Sequence, residues 1–570
     1  MIDLIYFAVD LFIKYIFVYL LFYFSGRSSL ILVSKIYGKS KEIPTQLLNI
    51  KSNIIYPIIG TAAVGNLLII SNFFIPLKSQ FIFFIILIYL SINFFNIDFK
   101  DFKKSINISN LIYFIFIPSV LLISSSDINF HYDAAYYHLN NQNWLRESNL
   151  ILGMVNIFWP FGMSSIYEYL SAILWFDSLV YLHFLSLIFI HVFYAFIFFN
   201  LISNKNIFLK NGSILLIIFS IFDNFGFGGG RNGFIYIQEV GKQDISVAIM
   251  ICIISVLIIN IFKSNVINDI DLVLISLLTL FVLQVKVSSV YILFLYICLI
   301  SFLKIKKRYT FNNLFLTHIP VSFLSLFWLL KNYLSTGCFI FPASFTCVNN
   351  FEWYINGSTE KVEAYTTATS FAYLEYFKDE NLNFFNWFND FFNSSQYSVF
   401  SNYYTSVYLN FIFSFGIIVL LSFIFFYKDK NKNWITNIIF VYLISGTIYL
   451  IFYGPIPRYT IGITTLIIYL LGFFKGKQKL NFSKAFLFLI FFISIGLLPR
   501  INSYTNFIET KNISLSDPRS ENVITSNFEN INWVKPVEAD RCWINLSCTF
   551  EEGEIKIVKN NNFYTAFKEN

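Results

Sequence analysis

Charged residues are scarce in this chain. Asp, Glu, Lys and Arg make up 13% of its 570 residues, and hydrophobic residues make up 56%. A soluble domain usually carries about 25% charged residues. Because no water-soluble fold can bury so much apolar surface, the composition excludes a soluble globular protein and predicts repeated membrane-spanning helices.

Other features are missing, and each absence excludes a class of function. The net charge of +7 comes from short basic clusters between apolar runs, so no nucleic-acid-binding surface is predicted. The first apolar stretch contains Asp3, Asp10 and Lys14 but no small-residue cleavage site, which predicts a first span rather than a signal peptide. Asp10 and Lys14 have the spacing of a helical ion pair.

The glycine run at 226–230 is not followed by Lys and Ser or Thr, which excludes a nucleotide-binding P-loop and favours a flexible loop.

The chain does contain many apolar runs of membrane-spanning length. We count about fourteen, and they start near residues 2, 54, 80, 109, 178, 211, 244, 268, 288, 313, 406, 434, 459 and 484. The predicted fold is therefore an all-α membrane protein, a multi-pass bundle of about 14 transmembrane helices over residues 1–498. Residues 499–570 form a small extracytoplasmic segment that is too short for a core of its own.

The segments that connect the apolar runs alternate between basic and polar. If the basic segments lie in the cytoplasm, both termini and the loops 126–165, 226–243 and 335–405 lie outside. The loop 335–405 is long, aromatic and of mixed charge, so it predicts a small folded cap. Residues 164–176 predict an amphipathic helix that lies along the membrane surface.

The first outer loop carries a group of acids and histidines. Asp127 and Asp133 are six residues apart, with His131 between them and His138 five residues further on. In a helix that starts near Asp133, this residue, Tyr137 and Asn140 lie on one face, and His138 lies beside it. These side chains could supply a carboxylate base, a proton partner and hydrogen bonds to a sugar or a phosphate. An equally good alternative is a solvated loop with a helix-capping Asp.

Three basic residues occupy predicted outer helix ends, where basic residues are generally disfavoured: Lys286, Lys331 and Arg458. Their position suggests an anionic ligand, and a lipid phosphate is the obvious candidate. For Lys286 the alternative is a side chain that extends to the membrane interface. Asp244 starts a span, so it is either a helix cap, which is the favoured alternative, or a second acid that faces the same outer cavity.

Two cysteine pairs fall in predicted outer segments. Cys542 and Cys548 in the tail predict a small disulfide loop on an oxidising face. A metal site is the less favoured alternative, because only two of the usual four ligands are present. Cys338 and Cys347 share an outer loop and form a second candidate pair.

Five segments of the chain together resemble one known group of proteins. They are the segments 132–139, 286–288, 328–333, 455–459 and 542–548. Their sequences and their order are similar to those of a bacterial family of polytopic membrane proteins related to the GT-C glycosyltransferases. The chain departs from several GT-C families in two ways: its first outer loop has no adjacent acidic pair, and three or four predicted spans precede that loop.

The resemblance implies a multi-pass transferase of the bacterial inner membrane, with its active site at the outer face. It would take a sugar from a polyprenyl-phosphate carrier in the lipid bilayer and pass it to a glycan, lipid or protein acceptor. Asp133 takes the role of the base or acceptor-orienting group, with Asp127 as the nearby alternative. Arg458, Lys331 and Lys286 take the role of contacts to the donor phosphate.

The remaining candidates complete the implied site. His138 is the proton partner, and His131, Tyr137 and Asp244 bind substrate. The one cofactor that this chemistry could use is a divalent metal ion, magnesium or manganese, and the sequence does not decide whether it is needed. Two other functions compete with glycosyl transfer: a polysaccharide polymerase or ligase, and a transporter or flippase of lipid-linked glycans. The transporter is the weaker alternative, because the chain has no internal repeat and its polar residues cluster at the outer face.

Overall fold

The fold is that of a computed structural model, which describes most but not all of the chain. The described residues are 2–37, 46–47, 50–93, 112–124, 133–176, 179–203, 209–216, 243–264, 267–348, 350–372, 440–446, 448–449, 462–463, 465–470, 523–528, 531–537, 542–543, 547–550, 554–560 and 563–569. Most of them are helical.

Long helices form the framework of the described chain. They are α1 (Ile2–Tyr37), α2 (Ser52–Asn72), α3 (Gln80–Ser91), α4 (Ile117–Ser124), α5 (Leu139–Glu147), α6 (Ile166–Ala172), α7 (Phe184–Ser203), α8 (Asp244–Ser264), α9 (Asp269–Val285), α10 (Ile292–Ile305), α11 (Phe311–Thr336) and α12 (Ser358–Ala372). Segments Ile112–Phe116 and Ala134–His138 are π-helical turns before α4 and α5.

Five described helices are long and apolar enough to cross a bilayer. They are Val9–Tyr37, Ile54–Asn72, Tyr181–Asn200, Asp244–Phe262 and Phe311–Thr336. A helical membrane protein is thereby confirmed, but the prediction of about fourteen spans is wrong for the described residues. Several apolar runs form shorter helices, such as α3 with 12 residues and α9 with 17, whereas a bilayer core requires about 20. The runs that start near 406 and 484 lie outside the described residues.

The first two helices pack against each other at glycines. A Cβ atom at Gly26 of α1 would lie 1.9 Å from the Tyr56 carbonyl oxygen, and one at Gly60 of α2 would lie 1.8 Å from the Phe22 carbonyl oxygen. No side chain fits at either place. Small residues of this kind let membrane helices approach each other backbone to backbone.

The spans differ in how much they face the bilayer. In the apolar window of α8, 94% of the residues are buried, whereas the corresponding figure for α11 is 17%. α11 exposes Phe311, Phe315 and Phe323. An apolar helix with so much exposed aromatic surface is suited to contact with lipid. α8 therefore lies inside the bundle, and α11 lies at its lipid-facing edge.

Short strands occur in the connecting segments and in the tail. They are β1 (Gln46–Leu47), β2 (Ile50–Lys51), β3 (Ile151–Leu152), β4 (Val523–Phe528), β5 (Ile531–Pro536), β6 (Ser547–Cys548), β7 (Glu554–Asn560) and β8 (Phe563–Glu569). β1 pairs with β2, and two further sheets have the strand orders β3-β8-β7 and β4-β5-β6. β3 belongs to the first outer loop and pairs in parallel with β8 of the tail. One sheet thus joins the two segments.

The tail obtains a core by packing on the first outer loop. Trp144, Ile157 and Phe158 of the loop form a buried cluster with Ile557 and Ala566 of the tail. A segment this short needs such a shared core, because it cannot bury enough apolar surface alone. The tail strands are a part of the fold that the all-α prediction did not include.

The prediction for residues 164–176 is wrong. Helix α6 is not an amphipathic helix with an exposed face, because all 7 of its residues are buried. It packs against α2, α5 and α9. The amphipathic pattern comes from Glu168, whose carboxylate finds its partners inside the protein rather than in water.

Candidate functional site

The first outer loop enters α5 through a π turn. The Leu139 N–H donates to the Ala134 carbonyl, a bond that spans five residues instead of the four of an α-helix. The Asn140 side-chain amide donates to the Ala135 and Tyr136 carbonyls at 2.8 and 3.0 Å. These bonds satisfy backbone acceptors at the wider turn. The segment therefore departs from the regular α-helix that the sequence predicts here.

The π turn changes which side chains share a face. In an α-helix, residues five positions apart are rotated by about 140° around the axis. In a π turn the fifth residue returns close to the position of the first, so Asp133 and His138 lie on one face. The turn thus adds His138 to the predicted face of Asp133 and Tyr137, which are four residues apart, and the role of that face stays a prediction.

Asp133 is half-buried at the start of this turn. Its backbone is already helical, with φ −60° and ψ −29°, and its side chain makes no capping hydrogen bond, so the alternative of a helix-capping Asp is wrong. Tyr137 is also half-buried, and its ring centroid lies 4.0 Å from that of His138. Asp127 and His131 lie outside the described residues.

His138 points into the protein and meets a buried carboxylate. Its Nδ1–H donates to Glu168 Oε1 at 2.5 Å, and the two side chains are only 5% and 4% exposed. Gln142, one turn further along α5, donates to Glu168 Oε2 at 2.7 Å. The His138 Nε2 atom makes no hydrogen bond with the described residues and is not one of their fully enclosed polar atoms. Glu168 thus holds the imidazole and leaves one ring nitrogen available.

Glu168 is a site residue that the sequence reasoning missed. Its neighbours in α6 are aromatic or apolar, and the available signal was a lone carboxylate in such a stretch, since buried acids need partners. The adjacent Tyr167 shows the same environment. Burial raises the pKa of Tyr167 to about 12, although Ser186 and Ser246 act in the opposite direction. The Tyr167 and Ser186 hydroxyls share a 2.5 Å hydrogen bond.

Arg146 and Trp175 support α5 beside this pair. The Trp175 N–H donates to Gln142 Oε1 at 2.7 Å, which fixes the amide that faces Glu168. Arg146 donates to the Ala172 carbonyl at 2.8 Å and lies 4.9 Å from the Trp175 ring centroid. Burial lowers the pKa of the Arg146 guanidinium. These contacts hold the end of α5 against α6.

Lys331 is almost completely buried near the end of α11, with 3% of the residue exposed. Its ammonium group donates to the Ser164 carbonyl at 2.9 Å and to Asn332 Oδ1 at 3.2 Å, and it lies 5.6 Å from the Tyr169 ring centroid. It forms no ion pair within the described ranges, although Glu168 attracts it electrostatically. Lys331 therefore ties the first outer loop to α11 and is enclosed by protein.

Asp244 and Lys286 form an ion pair where α8 begins and α9 ends. The Asp244 side chain is 5% exposed and the Lys286 side chain is 24% exposed. The pair lines a recess together with Val247, Ala248, Ser288, Ser289, Tyr291 and Gly462. Asp244 is thus more than a helix cap, and Lys286 does not extend alone to the interface. Arg458, four residues before Gly462, lies outside the described residues.

A cap of three chain segments covers this end of the helices. The cap consists of residues 133–176, residues 337–372 and the tail strands β4 to β8. Asn156 joins all three segments, because its amide donates to the carbonyls of Trp353 and Ala566, each at 2.9 Å.

Both predicted disulfides are present in the cap. They are Cys338–Cys347 and Cys542–Cys548. The tail disulfide contacts the site directly: the Cys542 N–H donates to the Ala135 carbonyl at 3.1 Å, and the Cys548 carbonyl accepts from the Trp144 N–H at 3.0 Å. The tail therefore holds both the π turn and α5 from outside.

The metal ion that the sequence leaves open stays a prediction. Within the described ranges no three His, Cys, Asp or Glu side chains come together as a metal site. Asp127, the other acid of the first outer loop, lies outside those ranges.

Comparison with known proteins identifies the family of this chain. The model of a family described as "Domain of unknown function (DUF8201)" matches residues 9–465. No curated protein and no solved structure matches the chain. The matched region covers more than half of the chain and includes the π turn, α6 and the Asp244–Lys286 recess. The chain therefore belongs to the DUF8201 family.

Proposed function

We propose that this protein is a membrane-embedded glycosyltransferase that moves a sugar from a polyprenyl-phosphate-linked donor to a glycan, lipid or protein acceptor. The observation that supports it best is the π turn, which puts Asp133 and His138 on one face within the cap. A carboxylate and an imidazole so arranged can accept a proton from a hydroxyl group. The resemblance of segment 132–139 to the first outer loop of GT-C-related proteins agrees with this chemistry.

In this proposal the cap faces the outside of the bacterial inner membrane. The end of α10 and the turn that follows it are basic and contain Lys304, Lys306, Lys307 and Arg308. Basic turns favour the cytoplasmic side. The other end of α11 leads to the Cys338–Cys347 disulfide, and disulfides persist on the oxidising side. Both arguments support the same orientation.

The donor phosphate is assigned to the recess of Asp244 and Lys286. Lys286 is partly exposed, whereas Lys331 is enclosed by protein. A partly exposed ammonium group at a helix end can contact a lipid phosphate. Ser288 lines the same recess and can add a hydroxyl hydrogen bond. Arg458, to which the resemblance also gives a contact with the donor phosphate, lies outside the described residues.

The proposed reaction is a displacement at the anomeric carbon of the sugar. The acceptor hydroxyl attacks this carbon, and Asp133 takes the hydroxyl proton as the new C–O bond forms. The bond from the anomeric carbon to the phosphate oxygen breaks, and polyprenyl phosphate leaves with the electron pair. Lys286 stabilises the negative charge that grows on the leaving phosphate.

An Asp133→Asn variant tests this proposal. Membranes that contain the wild type or the variant are supplied with polyprenyl-phosphate-linked, radiolabelled sugars, and sugar transfer is measured. Because Asn cannot accept the proton, we expect transfer to fall by about 100-fold or more. Glu147→Gln, at the partly exposed end of α5, is the matched control and keeps its activity. Full activity of Asp133→Asn contradicts the role of Asp133, and the absence of transfer by the wild type from every such donor contradicts the transferase proposal.

A further inference from the structure

Two buried histidines of this chain use their rings differently. In α7 the His191 Nε2–H donates to the Tyr113 carbonyl at 2.5 Å, and the Tyr15 hydroxyl donates to His191 Nδ1 at 2.8 Å. Both ring nitrogens of His191 are therefore occupied, and the residue is fully buried. His138 uses Nδ1 alone, on Glu168. Its Nε2 makes no hydrogen bond with any residue that the structure describes.

Glu168 determines which ring nitrogen of His138 carries the hydrogen. An ionised carboxylate only accepts hydrogen bonds, so the imidazole hydrogen is on Nδ1. In the neutral ring the lone pair is then on Nε2. Gln142 holds the other carboxylate oxygen, and Trp175 holds Gln142, so the acid itself is fixed. A buried acid that orients an imidazole is the way in which many enzymes prepare a histidine base.

The π turn supplies the group from which such a base would receive its proton. Asp133 lies one π turn before His138 on the same face. Asp133 is half-buried, whereas the Glu168 side chain is only 4% exposed. Asp133 is therefore the more accessible of the two acids, and Glu168 is the enclosed acid that holds the imidazole.

We propose that Glu168 is a positioning residue that prepares His138 to accept, at Nε2, the proton that Asp133 takes from the acceptor. This inference rests on the proposed function. The acceptor O–H bond breaks and the proton goes to the Asp133 carboxylate. The new carboxyl O–H bond then breaks, the Nε2 lone pair takes the proton, and Asp133 is again a carboxylate. The imidazolium that forms is stabilised by its charge-assisted hydrogen bond to Glu168.

Chemical modification tests the geometry without a sugar donor. The purified full-length protein in lipid nanodiscs is treated with diethyl pyrocarbonate, which acylates an unprotonated imidazole nitrogen that is open to reagent, and each histidine is quantified by mass spectrometry. We expect His138 to react at least about ten times faster than His191, because only His138 has an unoccupied nitrogen. Equal resistance of the two histidines overturns the proposal.

Kinetics of a Glu168→Gln variant test the role of the acid. Gln retains the size of the side chain but removes the charge that stabilises the imidazolium, so we expect kcat for sugar transfer to fall by about 100-fold or more. KM for the polyprenyl-phosphate sugar stays within about three-fold, because substrate binding is unchanged. Ser171→Ala, on the same buried helix, is the matched control and retains kcat. The amount of folded protein is measured by size-exclusion chromatography for each variant.

The outcomes separate this inference from the proposed function. An unchanged kcat in folded Glu168→Gln, or a loss that merely follows the loss of folded protein, overturns the positioning role while the transferase proposal stands. If the wild type transfers no sugar from any donor, the proton-transfer role falls with the proposed function, and the modification experiment still decides whether Glu168 leaves His138 with an open nitrogen.

Discussion

Two acid–base pairs in this protein differ in their access to solvent. The side chains of His138–Glu168, the sealed pair, are 5% and 4% exposed. In Asp244–Lys286, the open pair, the carboxylate is 5% exposed, but the lysine is 24% exposed and lines a recess. A carboxylate as enclosed as that of Glu168 is bound to its protein partners and can only hold or orient them. A partly exposed charge can exchange its partner for water or for a ligand.

The largest expected effect is at the sealed pair. Glu168→Ala removes the partner of His138 and Gln142 and leaves their polar groups buried. Breaking a buried pair in this way costs about 3–5 kcal/mol. We expect a corresponding loss of stability when thermal unfolding of the purified protein is measured in detergent. A loss below about 1 kcal/mol would show that this site is not sealed in solution.

Removal of the tail disulfide is a second way to destabilise the region of the sealed pair, and it changes neither His138 nor Glu168. Replacing Cys542 and Cys548 by Ser removes a short closed loop that is worth about 2 kcal/mol. Because this loop holds Ala135 and Trp144, we expect amide hydrogen exchange in residues 134–147 to become roughly 30-fold faster. Hydrogen-exchange mass spectrometry measures this change.

The other disulfide supplies the matched control for that experiment. The double variant Cys338→Ser with Cys347→Ser removes a disulfide that does not contact the π turn through the bonds described above. Exchange in residues 134–147 should then stay at the wild-type rate. Equal acceleration in both double variants would mean that the tail has no special hold on the π turn.

A smaller effect is expected at the open pair. Asp244→Asn leaves Lys286 without its carboxylate, but that lysine is partly exposed and can be hydrated instead. Asn also remains suited to the start of a helix. We therefore expect a loss of only about 1 kcal/mol in the same thermal unfolding measurement. A loss as large as that of Glu168→Ala would remove the distinction between the two pairs.

The smallest effect is expected at the ion pair between Lys78, just before α3, and Glu147 at the end of α5. Lys78 and Glu147 lie 2.9 Å apart, and their side chains are 59% and 35% exposed. Exposed pairs contribute at most about 1 kcal/mol. Lys78→Ala should therefore leave the unfolding temperature almost unchanged. Because Glu147 ends the same helix that carries Gln142, a large effect here would indicate that α5 is held from its surface rather than by the sealed pair.

The sequence predicts contacts between residues that lie close together in the chain. Asp10 and Lys14 form the expected pair at 3.0 Å, because one turn of helix brings residues four apart together. Cys542 and Cys548 were recognisable as a disulfide because the loop between them is short. The membrane character followed from composition alone, although apolar runs do not reveal how many residues of each run become helical.

The candidate site depends on partners that are distant in sequence, and it was harder to predict. The sequence of the first outer loop predicts a helical period of 3.6 residues, whereas the structure has a π turn whose Ala135 carbonyl accepts from the Cys542 N–H of the tail. Glu168 was overlooked because only the fold brings α6 against His138. Lys331 was assigned to the outer surface by its place near a helix end, and only packing shows that it is enclosed.

The pairing of β3 with β8 has a consequence for the biosynthesis of the protein. Asn156 and Ala566, which meet beside this pairing, are 410 residues apart in sequence. At about 5–20 residues per second, a ribosome needs about 20–80 s for that interval. Throughout this time the tail strands that cover the apolar side chains of Trp144 and Phe158 have not yet been synthesised. The cap is therefore completed only when the tail has been synthesised and has paired with the first outer loop.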